Sequence, residues 1–281
     1  MPIRMRKKMI INKPILKSKE KESELYNTEY FLNEYFEHVS DFNLKTGNLS
    51  FIRQRQVDLL ELKKNDIFLD VGCGRGDVLL NVSRRGVKCV GIDYSRHAIK
   101  LASKLLAGQK NVTLIRSEVT SLNFPNNTFD KVLLGDMIEH LSKGDGLKCL
   151  KEVHRVLKKN GKVVVHTAPN LYFIKFIYPI IRTIFSMSGR KSLIEKLNYH
   201  RKVAGIVHKN EFTHMQLYRL MKKAGFETNV CLDRNILRNG DSTFTKALAK
   251  SPFFSFMAKI LKYKPFVYFF GNDIFGIGIK K

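Results

Sequence analysis

The chain has 281 residues, 44% of them hydrophobic and 27% charged, with 50 Lys and Arg against 25 Asp and Glu for a net charge of +25. That length can bury a full-sized core, and the composition excludes a disordered or collagen-like chain. Cys73, Cys89, Cys149 and Cys231 form no C-x-x-C pair, which argues against a disulfide scaffold or structural zinc module and for a reducing, cytoplasmic setting. The positive surplus points to an anionic neighbour, without choosing between nucleic acid, an acidic lipid surface and a phosphorylated substrate.

Taken in chain order, residues 1–21 read as a flexible basic tail, since Met9-Ile10-Ile11 is too short for a signal-peptide core. Residues 22–62 read as a helical lid, with amphipathic helices over Glu22–His38 and Leu49–Leu62. Residues 63–170 form the expected core. Five short apolar runs, at 67–69, 87–92, 112–115, 131–134 and 161–166, alternate there with helix-period segments. This pattern predicts a mostly parallel α/β sheet with helices on both faces and ligands beyond the carboxyl ends of the strands. Residues 171–210 read as a helical insertion covering the substrate. Residues 211–281 read as a helix over Thr213–Ala224 stopped by Gly225, closing strands at Val230–Leu232 and Asp273–Ile279, and an apolar-basic insertion at 252–270. In that helix Met215, Leu217, Leu220 and Met221 are expected on one side. Leu171–Met187 and Pro252–Phe270 are apolar but interrupted by Lys, Arg and Pro, so neither is expected to span a bilayer.

Asp70-Val71-Gly72-Cys73-Gly74-Arg75-Gly76-Asp77 lies between a predicted strand and a predicted helix. Glycines at 72, 74 and 76 let backbone turn sharply and approach a ligand without an obstructing Cβ. The spacing is G-x-G-x-G, neither the G-x-G-x-x-G of dinucleotide folds nor G-x-x-x-x-G-K-[ST]. Asp93 ends the next strand, where a carboxylate accepts both hydroxyls of a ribose, and Tyr94-Ser95 opens the following helix. Glu118 follows the third strand, where a carboxylate can receive an exocyclic amine. Together these describe a nucleoside held without a diphosphate.

The segment Asp66–His166 resembles the core of class I S-adenosylmethionine-dependent methyltransferases, the broad family whose first motif reads D-x-G-C-G-x-G. Phe124–Asp130 is similar to that family's P-F-x-x-x-x-F-D stretch, and Val156–Lys162 to its R-V-L-K-P-G-G turn. The resemblance implies a Rossmann-like seven-stranded sheet whose last strand is antiparallel, and S-adenosylmethionine as cofactor. It places the methionine moiety against Asp70, Gly72, Cys73, Gly74 and Gly76, the ribose on Asp93 beside Tyr94, and the adenine near Glu118 and Val119, with Gly135 completing the site.

Methyl transfer from a sulfonium is one displacement, so alignment and removal of a proton from the acceptor are the main tasks. In Asp136-Met137-Ile138-Glu139-His140, after the fourth strand, a helix would put 136, 139 and 140 on one face. Asp136 and His140 are the candidate catalytic residues. This D-x-x-E-H resembles the E-x-x-E-H of two metal-assisted O-methyltransferase groups, one acting on polyprenylated catechols and one on the ribose 2′-hydroxyl of small RNAs. In the second group a later histidine precedes E-[FW]-T, as His208 precedes Glu211-Phe212-Thr213 here. No metal is the favoured expectation, with Asp136 capping the helix and His140 buried; a divalent ion is the alternative. His166 is expected as a hydrogen-bonded strand-end histidine.

DNA is not an expected substrate, because no D-P-P-Y or N-P-P-Y follows the fourth strand. The two apolar-basic stretches point to O-methylation of a hydrophobic small molecule or lipid-like acceptor, at an anionic membrane surface in one form of the reading. RNA-directed ribose methylation, with phosphate contacts from the basic surplus, stands second.

Overall fold

The computed structural model describes residues 26, 27, 30, 31, 47–187, 189, 191, 194, 195, 198, 201, 202, 205, 207–234, 256 and 259–281. The expected basic tail and most of the first lid helix lie outside the described residues.

Seven strands run through the described chain: β1 (Ile67–Val71), β2 (Lys88–Asp93), β3 (Val112–Arg116), β4 (Phe129–Gly135), β5 (Leu157–Thr167), β6 (Glu227–Leu232) and β7 (Ile274–Ile279). They lie in the order β3-β2-β1-β4-β5-β7-β6. The first five are parallel, and β7 runs antiparallel to both β5 and β6. This is the Rossmann-like sheet expected from the sequence, closed by an antiparallel final strand.

The helices that matter for the site are α1 (Phe51–Leu60), α2 (Asp77–Ser83), α3 (Arg96–Leu105), α4 (Lys143–Val156), α5 (Tyr178–Met187), α6 (His214–Lys223) and the short α7 (Val267–Phe270). Hydroxyl side chains start several of them. Ser95 Oγ accepts from Ala98 N at the head of α3, Ser142 Oγ accepts from Asp145 N at α4, and Thr213 with Gln216 closes a reciprocal capping box at α6. Gly225, with φ +103°, ends the last of these as expected. One side of α6 is narrower than its sequence suggests: Leu217 and Met221 are buried, whereas Met215 is exposed, being angularly displaced from the pair that meets the sheet.

Strands β1, β4 and β5 carry the fully buried Phe68, Leu69, Val132, Leu134, Val163 and Val165, because helices cover both faces of the parallel sheet. Strand order reverses between β1 and β4, with β2 leaving to one side and β5 to the other. A crevice must open at that point, above the carboxyl ends of the strands. Among the described residues no helix is long and apolar enough to cross a membrane.

Candidate active site

The glycine loop leaves β1 at Val71 and returns at α2. Gly72 and Cys73 both donate their N–H to Ile92 O, at 2.8 and 2.9 Å, which ties the loop to the end of β2. Gly72 has φ +77°, and a Cβ built there would lie 2.7 Å from Met137 Cγ, so the position excludes a side chain twice over. Gly74, at φ +53°, donates its N–H to Asp93 Oδ2 at 3.0 Å, while Asp93 Oδ1 accepts from Ser95 N at 2.8 Å. The loop and the acidic end of β2 are therefore one hydrogen-bonded unit.

A cleft of about 330 Å³, including space open to solvent, sits at this edge. Of the residues singled out in the sequence, Asp70, Gly72, Cys73, Gly135 and Asp136 line it; Arg53, Gln56, Arg75 and Asp77 line it as well. The arginines brace the start of α2, with Arg53 Nη1 donating to Asp77 Oδ2 at 2.6 Å and Arg75 Nη2 donating to the same oxygen at 2.8 Å. Burial raises the carboxyl of Asp70 to about 7 and that of Asp93 to about 6; nearby Arg53 moderates the first, and the N–H donors of Ser95 and Gly74 the second. Burial also lifts the Cys73 thiol far above its ordinary range, so it is no thiolate.

Asp93 is not part of that cleft wall, and the structure shows what stands beside it. Tyr26 accepts a hydrogen bond at its carbonyl from Ser95 Oγ, 2.8 Å away, and packs edge-on against Tyr94 at 5.6 Å. Phe31, buried, lies 3.5 Å from a Cβ placed on Gly74. Glu118 is exposed in the loop after β3, and Val119 packs partly buried on the core beneath it.

The expectation for Asp136 to His140 needs correction. No α-helix forms there: Asp136 is held at φ +54°, and Ile138–His140 is a single 3-10 turn. Asp136 consequently turns to His166 while Glu139 and His140 stay together, and α4 is capped by Ser142 instead of Asp136. Asp136 Oδ1 accepts from His166 Nδ1 at 2.6 Å, and His166 Nε2 donates to Asp273 Oδ1 at 3.1 Å. Burial alone would depress His166, but the two carboxylates raise it to about 10; an imidazolium bridges them. Burial would raise Asp136, yet the His166 charge and hydrogen bond, with Arg53 nearby, hold it well below the usual carboxylate range.

Glu139 and His140 turn the other way. Glu139 Oε2 accepts from Thr167 Oγ1 at 2.9 Å, and its carbonyl accepts the N–H groups of Lys209 and Asn210 at 2.9 and 3.0 Å. Those two bonds bring His208 against His140, ring centroids 5.0 Å apart. One ligand atom each from Glu139, His140 and His208 lies within 4.8 Å of the others. Burial, then the Asp136 charge, raises Glu139 to about 8. Burial lowers His140 and His208 to about 4, assisted by their own proximity in the first and by Arg201 in the second. His140 Nδ1 meets Tyr26 Oη at 3.0 Å and Val207 O at 3.2 Å, which places the ring proton on Nδ1 and leaves a lone pair on Nε2. His208 Nδ1 is buried with no hydrogen-bond partner.

Arg53, Gln56, Thr167 and Asp273 did not stand out in the sequence. Only Asp273 carried a signal, as the first residue of a predicted strand, and its link to His166 exists through the β5–β7 pairing alone.

The fold and this loop define the class of protein. Residues 69–165 match the methyltransferase-domain family. The demethylmenaquinone methyltransferase of Lysinibacillus sphaericus is 30% identical over 179 residues, spanning 57% of this chain and 76% of that enzyme. An uncharacterized protein of Methanocaldococcus jannaschii is 27% identical over 242 residues, 82% of this chain and 91% of its own. A solved SAM-dependent methyltransferase from Archaeoglobus fulgidus superposes with a TM-score of 0.56 at 18% identity, covering 88% of this chain and all 100% of the other. The geranyl diphosphate C-methyltransferase of Streptomyces coelicolor shares the fold with a TM-score of 0.56 at 13% identity, over 82% of this chain and 78% of that one. The chain belongs to the class I S-adenosylmethionine-dependent methyltransferases, and S-adenosylmethionine is its methyl donor. The site fits that cofactor: side-chain-free loop positions admit close backbone contact, and the buried carboxyls of Asp70 and Asp93 suit a cationic, hydroxyl-bearing ligand.

Proposed function

We propose that this methyltransferase methylates an oxygen of a hydrophobic, lipid-like acceptor. The observation that carries the reading is His140, which burial keeps neutral and which Tyr26 Oη and Val207 O hold through Nδ1, so that Nε2 would take the proton of the acceptor hydroxyl. In this reading Asp70, Cys73 and the glycines at 72, 74 and 76 hold the methionine moiety, with Gly135 opposite. Asp93 accepts the ribose hydroxyls beside Tyr94, Glu118 and Val119 border the adenine, and Asp136 orients the acceptor hydroxyl. The helical insertion after β5 is proposed to cover the acceptor, and Tyr26 to close over the cofactor; the contacts of Tyr26 with Ser95 and His140 support that closure. A relative named for methylating demethylmenaquinone supports a lipid-like acceptor class.

The test is transfer of label from S-adenosylmethionine to fractionated lipids, RNA and polar metabolites. Label should enter the lipid fraction as a methyl ether. His140→Ala should lower kcat by roughly a hundredfold with cofactor affinity unchanged. Label confined to polar metabolites, or a product methylated on carbon, would overturn the reading.

The cluster of Glu139, His140 and His208 favours a second reading. Two neutral imidazoles, a carboxyl and an orphaned buried Nδ1 suit a divalent ion, which when bound would polarise an acceptor hydroxyl. That chemistry suits a ribose 2′-hydroxyl of RNA, with phosphates met by the basic surplus. It requires that chelation abolish turnover and that Mn²⁺ or Zn²⁺ raise the unfolding temperature of the wild type but not of His208→Ala.

A further inference from the structure

Helix α5 and the π-helical turn Phe173–Ile177 that leads into it are together apolar on two sides. Their inner side buries Ile177 and Phe185. Their outer side carries Phe176, Ile180, Ile184 and Met187, spaced by four, four and three residues, with exposures of 51%, 55%, 40% and 85%. An apolar stripe of this length on a helix is normally covered, because each exposed apolar side chain forgoes hydrophobic stabilisation. The stripe continues across a ring cluster onto the segment before β7. Phe269 stacks on Tyr172 at 5.4 Å and meets Phe176 at 5.9 Å, and Phe266 is 46% exposed beside it. The two apolar-basic stretches, distant in sequence, thus form one continuous face.

Charge completes the picture. Residues 171–187 and 256–270 contain Lys175, Arg182, Lys259, Lys262 and Lys264 and no Asp or Glu. Lys262 Nζ lies 5.2 Å above the Tyr263 ring, and Lys264 Nζ lies 5.8 Å from the Tyr268 ring, so cations flank the aromatic part of the face. The face is anchored at the site. Asn170, fully buried three residues beyond β5, donates from Nδ2 to Tyr268 O and Gly271 O, each at 2.8 Å.

We propose that this face docks on the surface of an anionic bilayer, with α5 lying in the interface plane and its outer stripe among the acyl chains. Apolar side chains rimmed by cations and free of acidic residues are what partitioning into an acidic leaflet requires. Single-stranded RNA fits less well, since the aliphatic Ile180, Ile184 and Met187 offer no flat faces on which bases stack and Phe269 is already stacked on Tyr172. A second copy fits poorly too, because like-charged rims would be brought together. Docking would set the carboxyl end of β5, and with it the catalytic cleft, against the membrane. The inference rests on the surface alone and stands whether or not the acceptor is a lipid.

The test is co-sedimentation of the full chain with phosphatidylcholine vesicles, with and without phosphatidylglycerol. Binding is expected to the anionic vesicles and to weaken with salt. The double variant Ile180→Asp, Ile184→Asp should lose binding by about tenfold or more. Lys262→Gln and Lys264→Gln should each lose about fivefold. S-adenosylhomocysteine affinity, measured by calorimetry, should be the same in every variant and reports that each is folded. Failure to bind anionic vesicles overturns the proposal. So does vesicle binding that the Ile variants leave intact, or sedimentation showing a dimer that the Ile variants dissociate. The readout is binding, so failure to find a methylated lipid would leave this result standing, and the reverse also holds.

Discussion

Asp93 joins two demands that pull its chemistry in opposite directions. Burial favours the protonated carboxyl, whereas the Gly74 and Ser95 N–H donors and an incoming ribose favour the carboxylate. With Asp93 near 6, lowering the pH from 7 to 5 protonates the group proposed to accept the ribose hydroxyls as an anion. Cofactor affinity, read by calorimetry, should therefore fall about tenfold between pH 7 and pH 5, and Asp93→Asn should remove much of that dependence. Asp93→Ala, which would lose both proposed ribose contacts, should weaken binding by about 3 kcal/mol, roughly a hundredfold, with the circular dichroism spectrum unchanged. Both the loop motif and this carboxylate were legible in the sequence because strand ends followed by glycine or acid are local patterns. The roles expected of Asp136 and His140 were legible only as residue types. Their geometry was not, since a single backbone angle, φ +54° at Asp136, turns a shared helix face into two separate sites.

At the scale of elements, the site is assembled by connections between strand ends. Gly72 can adopt φ +77° and pass Met137, and no other residue can do both. Gly72→Ala should cost about 2 kcal/mol in stability and weaken the cofactor further by displacing the loop, measured by denaturant unfolding and calorimetry. Asn170 links β5 to the α7 segment through two carbonyls, that of Gly271 buried and that of Tyr268 partly so. Asn170→Ala should destabilise by about 3 kcal/mol while leaving cofactor affinity nearly unchanged. Five short apolar runs predict the parallel strands and two later segments the closing strands, whereas the same reading expects an α-helix where Ile138–His140 forms a single 3-10 turn. Spacing by three and four residues is a property of sequence, and only hydrogen bonding decides whether an α-helix forms.

For the whole molecule, the buried His166 couples the parallel core to the antiparallel closing strand through Asp136 and Asp273. Its pKa is about 10 in the fold against 6.5 for the ordinary group. The folded state therefore holds the proton more tightly, so the stabilisation is complete below about pH 6.5 and is lost as the pH climbs to about 10. The unfolding temperature should decline across that interval, and His166→Gln should flatten the decline. An unfolding temperature that stays level between those limits in the wild type would contradict the imidazolium bridge.

The sequence by itself determined the class of sheet and the glycine loop with its acidic partner, and the family resemblance of these motifs implied the cofactor, because all of them depend on residues near one another along the chain. Only the tertiary structure decided which distant groups meet. It set His208 against His140, Asp273 against His166, and the outer stripe of α5 beside the rings of 266–269. Those meetings depend on strand order and on hydrogen bonds between loops, such as Lys209 and Asn210 to the Glu139 carbonyl, and no spacing along a single chain encodes them.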